Sequence, residues 1–232
     1  MHILLTRPLE DCVEMIEKFN LLGHKVSHLP LIDIEKVNYE EINFSEYGGI
    51  IFTSANAVKF LNLDKLNKNI KCFCVGNSTE KKARSVGFQN TIAAEGNVSN
   101  LKELILQNHK INDKQLIYVS GELISFDLDQ QLLKEGYIIK RIINYRVHHN
   151  QKFDKNFVKE LNLNMPDVVY IYSQNSASSL LNFIKIHQTE NIWMNTNLMC
   201  IGEKTSSILN EIKWKKIFLF NAGEEEFLLY KI

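Results

Sequence analysis

The feature that most constrains the fold is a short phrase that occurs twice. Residues 50–58 read IIFTSANAV, an apolar run that ends at a hydroxyl pair and continues into apolar residues at helical spacing. Residues 168–177 read VVYIYSQNSA and are followed in the same way by Leu180, Leu181 and Ile184. Each copy predicts a buried β-strand, a tight turn and a helix whose first turn is capped by a side chain.

A second pair of segments follows the first in the same order. Residues 72–79 read CFCVGNST, and residues 198–205 read LMCIGEKT. A strand that ends in glycine and a hydroxyl residue is common in α/β proteins, so one copy alone indicates little. Because both the content and the order are duplicated, the pattern predicts two similar α/β domains that face a shared site.

Length and charge limit the functional classes. The 232 residues allow two domains, and 45% apolar residues suffice for a core in each. Lys plus Arg and Asp plus Glu both number 27, which argues against a nucleic-acid binder because phosphate contacts require a basic excess. There is no run of about 20 apolar residues to span a membrane, and residues 1–8 do not resemble a secretion signal. We expect a cytoplasmic protein that binds neither nucleic acid nor membrane.

The four cysteines do not indicate a metal site. Cys72 and Cys74 are two apart on a predicted strand, so both point to the same face, and no second Cys or His pair has a zinc-like spacing. We expect these two residues, together with Cys12 and Cys200, to be reduced core thiols.

The order of the predicted elements indicates a discontinuous domain. Strands at 3–5 and 25–29 flank a first helix, and the chain then leaves along the extended segment 30–35. Five further strands are predicted at 49–52, 71–75, 91–93, 115–119 and 137–144. Helices at about 55–63, 78–85, 99–107 and 126–135 lie between them, and Gly87 and Gly136 are expected to end two of these helices. Only three strands follow, at 167–172, 198–201 and 216–220, so the two N-terminal strands are needed to complete a second set of five. Two similar sheets of five strands each would result.

The predicted fold class is therefore α/β, with two similar doubly wound, flavodoxin-like parallel-sheet domains. Residues 1–33 and 150–232 form one domain, and residues 38–144 form a domain inserted into it. The crossings at 31–37 and 144–150 run in opposite directions, so a two-stranded antiparallel link should join the domains. We expect the active site in the interdomain cleft.

In open α/β sheets, ligands bind at the carboxyl ends of the strands. Each candidate residue at these ends lies near a predicted helix N-terminus, where free N–H groups stabilise an anion by about 0.3–1 kcal/mol. The alternative is that these side chains only cap their helices. The candidates are Thr53, Ser54, Asn56, Ser78, Thr79, Ser173, Asn175, Ser176, Lys204 and Thr205.

Several common activities do not fit the sequence. No glycine-rich nucleotide-binding loop follows the first strand, and residues 121–122 form a lone Gly-Glu turn. Ser54 and Ser173 lie on strand-to-helix turns, but neither has the glycines that flank a hydrolase nucleophile. A flavodoxin-like signalling or flavin domain is a further alternative, although the acidic cluster of signalling receivers is missing.

Taken in order, the motifs resemble the uroporphyrinogen-III synthase family over essentially the whole chain. The resemblance is carried by TRP at 6–8, FTSANAV at 52–58, VGNST at 75–79 with Gly87 after it, Gly121-Glu122 before Gly136, Tyr145, YSQNSA at 172–177 and IGEKT at 201–205. It implies closure of the linear tetrapyrrole hydroxymethylbilane to uroporphyrinogen III, with loss of water and inversion of the last pyrrole ring, in heme biosynthesis.

The resemblance also implies the roles of individual residues. No metal or organic cofactor would be used, and the eight substrate carboxylates would meet the helix N-termini together with Arg7 and Lys204. Tyr145 corresponds to the family's tyrosine in the second crossing, and a phenol with a pKa of about 10 keeps a proton to donate at neutral pH. From the residues alone, Tyr145 is equally consistent with a tyrosine packed on the link. We expect a monomer.

Two segments depart from the family pattern. Ser120 stands where relatives often carry arginine, which puts one anion contact in doubt. Residues 222–227 lack the hydroxyl that the family commonly has before its last helix, and we expect Glu224 to Glu226 to face away from the cleft. The alternative function is a non-catalytic two-domain binding protein for a small polyanionic ligand.

Overall fold

The computed structural model describes residues 1–95 and 97–220. The chain divides into two compact units, which we call the split unit (Met1–Asp33 with His148–Ile232) and the inserted unit (Ile34–Val147). Each unit has its own sheet and its own core. Two parallel-sheet units confirm the predicted α/β class.

Strands and helices alternate along most of the described chain. In order they are β1 (His2–Leu5), α1 (Val13–Leu21), β2 (Lys25–His28), β3 (Ile32–Lys36), β4 (Tyr47–Phe52), α2 (Ala55–Lys59), β5 (Lys71–Val75), α3 (Gly76–Ser85), β6 (Thr91–Ala94), α4 (Val98–Asn108), β7 (Gln115–Gly121), α5 (Leu128–Lys134), β8 (Ile139–His149), α6 (Lys155–Leu163), β9 (Val168–Ile171), α7 (Gln174–Ile186), β10 (Asn197–Ile201), α8 (Glu203–Ser206) and β11 (Lys216–Phe220). The exception is that β2, β3 and β4 follow one another without an α-helix. Within these described elements, no helix is both long and apolar enough to cross a bilayer.

The split unit contains a five-stranded sheet in the order β11-β10-β9-β1-β2, and all its strand pairs are parallel. If these five strands are numbered 1 to 5 along the chain, they lie side by side in the order 2-1-3-4-5, which is typical of flavodoxin. Successive residues of β1 point to opposite faces: Leu4 packs with Trp193 on one face, and Ile3 and Leu5 pack with Phe19 on the other. Because both faces are covered, the strands read as continuous apolar runs.

The inserted unit contains six strands in the order β3-β8-β7-β4-β5-β6. Five are parallel, and β3 lies at the edge beside β8. The Val37 amide donates to the Asn144 carbonyl at 2.9 Å, and the Asn150 amide donates to the Leu31 carbonyl at 3.0 Å. Residue numbers rise along one crossing as they fall along the other, so the two crossings run antiparallel. This confirms the predicted pairing of the two crossings. The sequence predicted five strands here, and the sixth arises because the first crossing joins the sheet.

The two sheets differ in connectivity but place the repeated phrase alike. Numbered 1 to 5 along the chain, the parallel strands of the inserted unit lie in the order 3-2-1-4-5. If the numbering starts at the fourth of these strands instead and continues from the fifth to the first, the order becomes that of the split unit, so the two sheets are related by a circular permutation. In both sheets the strand of the repeated phrase, β4 or β9, is the middle of the five parallel strands. Its neighbours are β7 and β5 in one sheet and β1 and β10 in the other.

Glycines end two helices as predicted, whereas some predicted helix boundaries differ from the observed ones by two to four residues. Gly87 (φ +103°) follows α3 and Gly136 (φ +90°) follows α5, in a conformation that L side chains rarely adopt. Helix α2 ends at residue 59 instead of 63. The Asn62 side chain accepts the backbone N–H of Asp64 at 3.0 Å, and such a local turn competes with the helix. Helix α3 begins at Gly76 instead of residue 78.

Candidate functional site

In the inserted unit, the predicted site residues meet where β4 and β7 end. The crossovers from these neighbouring strands part to opposite faces, which is where open α/β sheets bind ligands. Ser54 caps α2, and its Oγ accepts the Asn56 amide at 3.2 Å. Thr53 Oγ1 lies 3.0 Å from the hydroxyl of the buried Tyr118 on β7. The sequence did not single out Tyr118, because a tyrosine inside an apolar strand reads as core.

Tyr145, the predicted proton donor, lies beside Ser54. Its ring covers the end of β7, and a Cβ added at Gly121 would be 2.7 Å from the Tyr145 Cζ and 3.0 Å from its hydroxyl. Burial raises the pKa of the Tyr145 phenol, and hydrogen bonds with the Ser54 side chain and the Gly121 backbone oppose that rise. The phenol is therefore protonated at neutral pH and has a hydroxyl partner within reach.

A β-bulge directs Tyr145 to this position. In the β7–β8 register, Ser120 pairs with Ile143 and Gly121 pairs with Tyr145, so Asn144 is an extra residue in β8. Ile142 and Tyr145 both pack against the cluster that includes α2. Residues three apart in a regular strand point to opposite faces, so the bulge is what brings both to one face.

Asn144 also ties the bulge to α2. Its side-chain amide donates to the carbonyl of Ala57 at 2.7 Å, and the side chain is fully buried. Its Oδ1 atom has no hydrogen-bond partner in the described part of the chain. Asn144 therefore positions Tyr145 and Ser54 relative to each other. Tyr145 is the next residue on β8, and Ser54 caps α2, the helix to which the Asn144 side chain is hydrogen-bonded.

Two arginines that the sequence did not predict surround the end of β7. Arg141 Nε donates to Ser120 Oγ at 2.8 Å, and its Nη2 donates to the carbonyls of Gly121 at 2.9 Å and Glu122 at 3.0 Å. Arg146 forms an ion pair with the Glu122 carboxylate at 3.2 Å. The only signal in the sequence is three cationic residues in one strand, Lys140, Arg141 and Arg146, and it does not reveal their partners.

Ser78 and Thr79 lie in the first turn of α3, after the strand next to β4. Ser78 is exposed and Thr79 is buried. Neither residue caps the helix, because α3 starts earlier and its N-cap position, Val75, has no side chain that can accept a hydrogen bond. The alternative interpretation as N-caps is therefore wrong for this pair, and their role in binding stays a prediction.

In the split unit, the equivalent turn follows β9. Ser173 caps α7: its Oγ accepts the Ser176 amide at 3.1 Å and lies 2.9 Å from the Ser176 hydroxyl. The carbonyl of Asn175 accepts the hydroxyl of Ser179 at 3.0 Å. Ser176 is buried, whereas Asn175 is half-buried at the start of the helix. The structure thus brings the three predicted residues of this turn together.

Arg7 follows β1, the strand next to β9. Its Nη2 lies 3.3 Å from the Asp11 carboxylate, and its guanidinium carbon lies 4.8 Å from the centre of the Tyr172 ring. Lys204 and Thr205 lie in the four-residue helix α8, after the strand on the other side of β9. Lys204 is exposed and Thr205 is buried. Asp11 already balances much of the charge of Arg7.

No group of three or more His, Cys, Asp or Glu residues in the described ranges is arranged to hold a metal ion. The four cysteines are free and buried, and Cys72 Sγ lies 3.7 Å from Cys74 Sγ. Burial raises the pKa of the Cys200 thiol to about 12.

The expectation that Glu224 to Glu226 face away from a cleft concerns residues outside the described ranges.

Known proteins resemble the chain in sequence and in fold. The family model described as uroporphyrinogen-III synthase HemD matches residues 13–219. A porphyrin biosynthesis protein HemD from Ruminiclostridium josui is 26% identical over 224 residues, which cover 88% of this chain and 42% of that protein. The chain thus spans less than half the length of this curated relative.

Two solved structures share the fold. Uroporphyrinogen-III synthetase from Helicobacter pylori has a TM-score of 0.65 at 19% identity, and the match covers 100% of this chain and 99% of the other. A mutant uroporphyrinogen III synthase from Thermus thermophilus has a TM-score of 0.60 at 13% identity, with 100% and 96% covered. Because the family model matches most of its length, the chain belongs to the uroporphyrinogen-III synthase HemD family.

Proposed function

We propose that this protein catalyses the conversion of hydroxymethylbilane to uroporphyrinogen III. Membership in the uroporphyrinogen-III synthase HemD family supports this reaction class. The observation that carries the proposal within this chain is Tyr145, a protonated phenol that lies beside Ser54 at the carboxyl end of the inserted unit's sheet. The reaction needs an acid that keeps its proton at neutral pH, and a buried phenol meets this requirement.

In the proposed mechanism, Tyr145 donates its proton to the hydroxymethyl group of the substrate. The C–O bond then breaks, water leaves, and a cation delocalised over the adjacent pyrrole remains. The substituted carbon of the last pyrrole ring attacks this cation. The older bond from that carbon to its methylene bridge then breaks and leaves a second delocalised cation, and the free α-carbon of the inverted ring attacks this cation to close the macrocycle. The Ser54 side chain, which is near enough to influence the pKa of the phenol, would help to orient it. The phenolate formed in the first step regains a proton when the closed ring loses one.

The substrate carboxylates are proposed to bind the polar groups at the carboxyl ends of both sheets. In the inserted unit these groups are the hydroxyls of Thr53 and Ser54, the Asn56 side chain and the first turn of α3 with Ser78 and Thr79. In the split unit they are Arg7, Ser173, Asn175, Ser176, Lys204 and Thr205. Amides and hydroxyls outnumber the cations in this set, which suits many carboxylates on one flexible molecule.

Selectivity between product isomers is proposed to come from positioning. Closure without inversion of the last ring gives the symmetric isomer I. A folded substrate that presents the substituted carbon to the cation gives isomer III, and orientation of this kind lowers a barrier by several kcal/mol. In this proposal many weak contacts hold the substrate, so selectivity does not depend on one side chain.

The test is an assay with hydroxymethylbilane, followed by separation of the product isomers. We expect closure to isomer III faster than the spontaneous reaction. If the product remains isomer I at the spontaneous rate, the enzyme proposal is wrong. Tight binding of the substrate without turnover would instead support a non-catalytic binding protein. Light scattering of the same sample tests the accompanying proposal that the protein is a monomer.

A further inference from the structure

Arg141 differs from the other arginines of the chain. The sequence contains four arginines. Three of them are ion-paired: Arg7 with Asp11, Arg84 with Glu80 and Arg146 with Glu122. Arg141 instead bonds to one hydroxyl and two backbone carbonyls. Among the described residues, no carboxylate lies within 4.0 Å of the Arg141 guanidinium, so its positive charge is not neutralised there.

The hydrogen bonds of Arg141 leave part of the guanidinium free. A guanidinium has five N–H donors. One Nε donor and the two Nη2 donors of Arg141 are used by Ser120, Gly121 and Glu122. Nη1 carries the other two donors and has no hydrogen-bond partner in the described ranges. It is not one of the buried unpaired atoms found there, so it is accessible to solvent or to a ligand. Arg141 therefore has two donors available to a ligand.

The three bonds also hold the group in place before any ligand arrives. They join Arg141 to the last residues of β7, the strand that pairs with β4. A guanidinium that is already ordered loses less side-chain entropy when it binds an anion. Arg141 Nε donates a hydrogen bond to Ser120, the residue that stands where relatives often carry arginine.

We propose that Arg141 binds a carboxylate of the acidic substrate at the carboxyl end of the inserted unit's sheet. The inference rests on the proposed function and extends it to a residue on β8. Arg141 supplies from the neighbouring strand the guanidinium that Ser120 cannot provide. It acts on binding rather than on proton transfer, because Tyr145 lies against the α2 side of β7, whereas Ile139, two residues before Arg141, packs on the opposite side.

The first experiment compares Arg141→Gln with Arg84→Gln, which removes an arginine from the exposed face of α3. With hydroxymethylbilane as substrate, we expect Arg141→Gln to raise KM about 10- to 100-fold, the usual range for loss of a charge-assisted hydrogen bond. The kcat should change less than about threefold. Arg84→Gln should leave both values unchanged. A loss of kcat and of thermal stability with an unchanged KM would mean that Arg141 only clamps β7, and the inference would be wrong.

The second experiment uses a binding probe and does not need turnover. Benzenehexacarboxylate is titrated into the wild-type protein and the two variants by calorimetry. We expect Arg141→Gln to weaken binding about tenfold or more, and Arg84→Gln to bind like the wild type. Equal affinity for all three proteins would overturn the inference. If the wild type binds the probe through Arg141 but does not convert hydroxymethylbilane, the proposed function fails and the anion site stands.

The third experiment uses only the wild-type protein and remains decisive if Arg141→Gln does not fold. Phenylglyoxal modifies arginine side chains, and peptide mass spectrometry measures the rate at each position. We expect benzenehexacarboxylate to protect Arg141 and to leave the rate at Arg84 unchanged. Modification of Arg141 at the same rate with and without the probe would contradict the inference.

Discussion

The phenol ring of Tyr145 lies so close over Gly121 that no side chain fits between them. A Cβ at position 121 would be 2.7 Å from the Tyr145 Cζ, and real contacts of this kind are not observed below 3.0 Å. Glycine is required here by close approach and not by an unusual φ, because Gly121 is not among the glycines with positive φ. The position of the proposed acid, Tyr145, therefore depends on a glycine at the end of β7.

Gly121→Ala should displace the Tyr145 ring. We expect a loss of about 1–3 kcal/mol in the free energy of unfolding, as for other overpacked sites, together with slower turnover. Denaturant titration and the isomer assay measure the two effects. In a Tyr145→Ala background the same glycine substitution should cost much less, because the ring is gone. Equal costs in the two backgrounds would mean that the contact is not the cause.

Tyr145→Phe removes the proposed proton donor and keeps the ring. We expect turnover to fall, while isomer III remains the main product, because we propose that selectivity comes from positioning of the substrate. The phenol must be protonated to act, and burial raises its pKa. Ionisation of the phenol should therefore not lower the wild-type rate at any pH below the ordinary tyrosine pKa of about 10. Complete loss of activity in a folded variant, or a switch to isomer I, would contradict this account.

Asn144→Ala removes the bond from the bulge to the carbonyl of Ala57 and leaves a small cavity. Loss of a buried hydrogen bond costs about 1–3 kcal/mol when one partner stays unpaired. We expect a reduction of that size in the free energy of unfolding and a lower kcat, because Tyr145 follows directly on β8. Asn150→Ala, a substitution at the other end of the same crossing, is the control for stability. If Asn144→Ala were as active and as stable as the wild type, the bulge would not position the tyrosine.

His109 should make the protein less stable in mild acid. Its ring is buried, and burial lowers its pKa below the usual 6.5, although the Lys114 carbonyl and Asp113 oppose this effect and Lys71 adds to it. The unfolded chain then takes up a proton before the folded one does. The free energy of unfolding should fall as the pH drops below about 6.5.

The variant His109→Gln keeps a donor for the Lys114 carbonyl and removes the titration of the ring. It should therefore lose less stability than the wild type between pH 7 and pH 5. Denaturant titrations at several pH values measure this difference. His2, whose pKa burial also lowers, is present in both proteins and cancels in the comparison. Identical pH dependence for the two proteins would exclude His109 as the source.

The cysteines should react with thiol reagents only after unfolding. All four are buried, and burial raises the pKa of Cys12 and Cys200. The thiolate is the reactive form, so both access and ionisation are unfavourable. Iodoacetamide labelling followed by mass spectrometry should find unlabelled native protein at neutral pH and four labels in denaturant. Rapid labelling of Cys200 in the native protein would show that its strand is accessible.

Most of the secondary structure and the fold class could be predicted from local pattern. The strands β5 and β11 have the predicted bounds, and Gly87 and Gly136 end the helices for which they were predicted. The duplicated phrase predicted two units, and in both sheets it occupies the middle strand. These features follow from residue type and spacing within short segments, so a single sequence contains them.

The contacts around the candidate site were decided by the tertiary structure. The bulge at Asn144, the cover of Gly121 by Tyr145 and the bonds from Arg141 to Ser120 all depend on how β7 and β8 align. The sequence by itself determined the strands, the repeat and the family motifs, because apolar periodicity and turn residues act locally. The register between strands about 20 residues apart decided which polar groups meet, because that register results from packing both faces of the sheet.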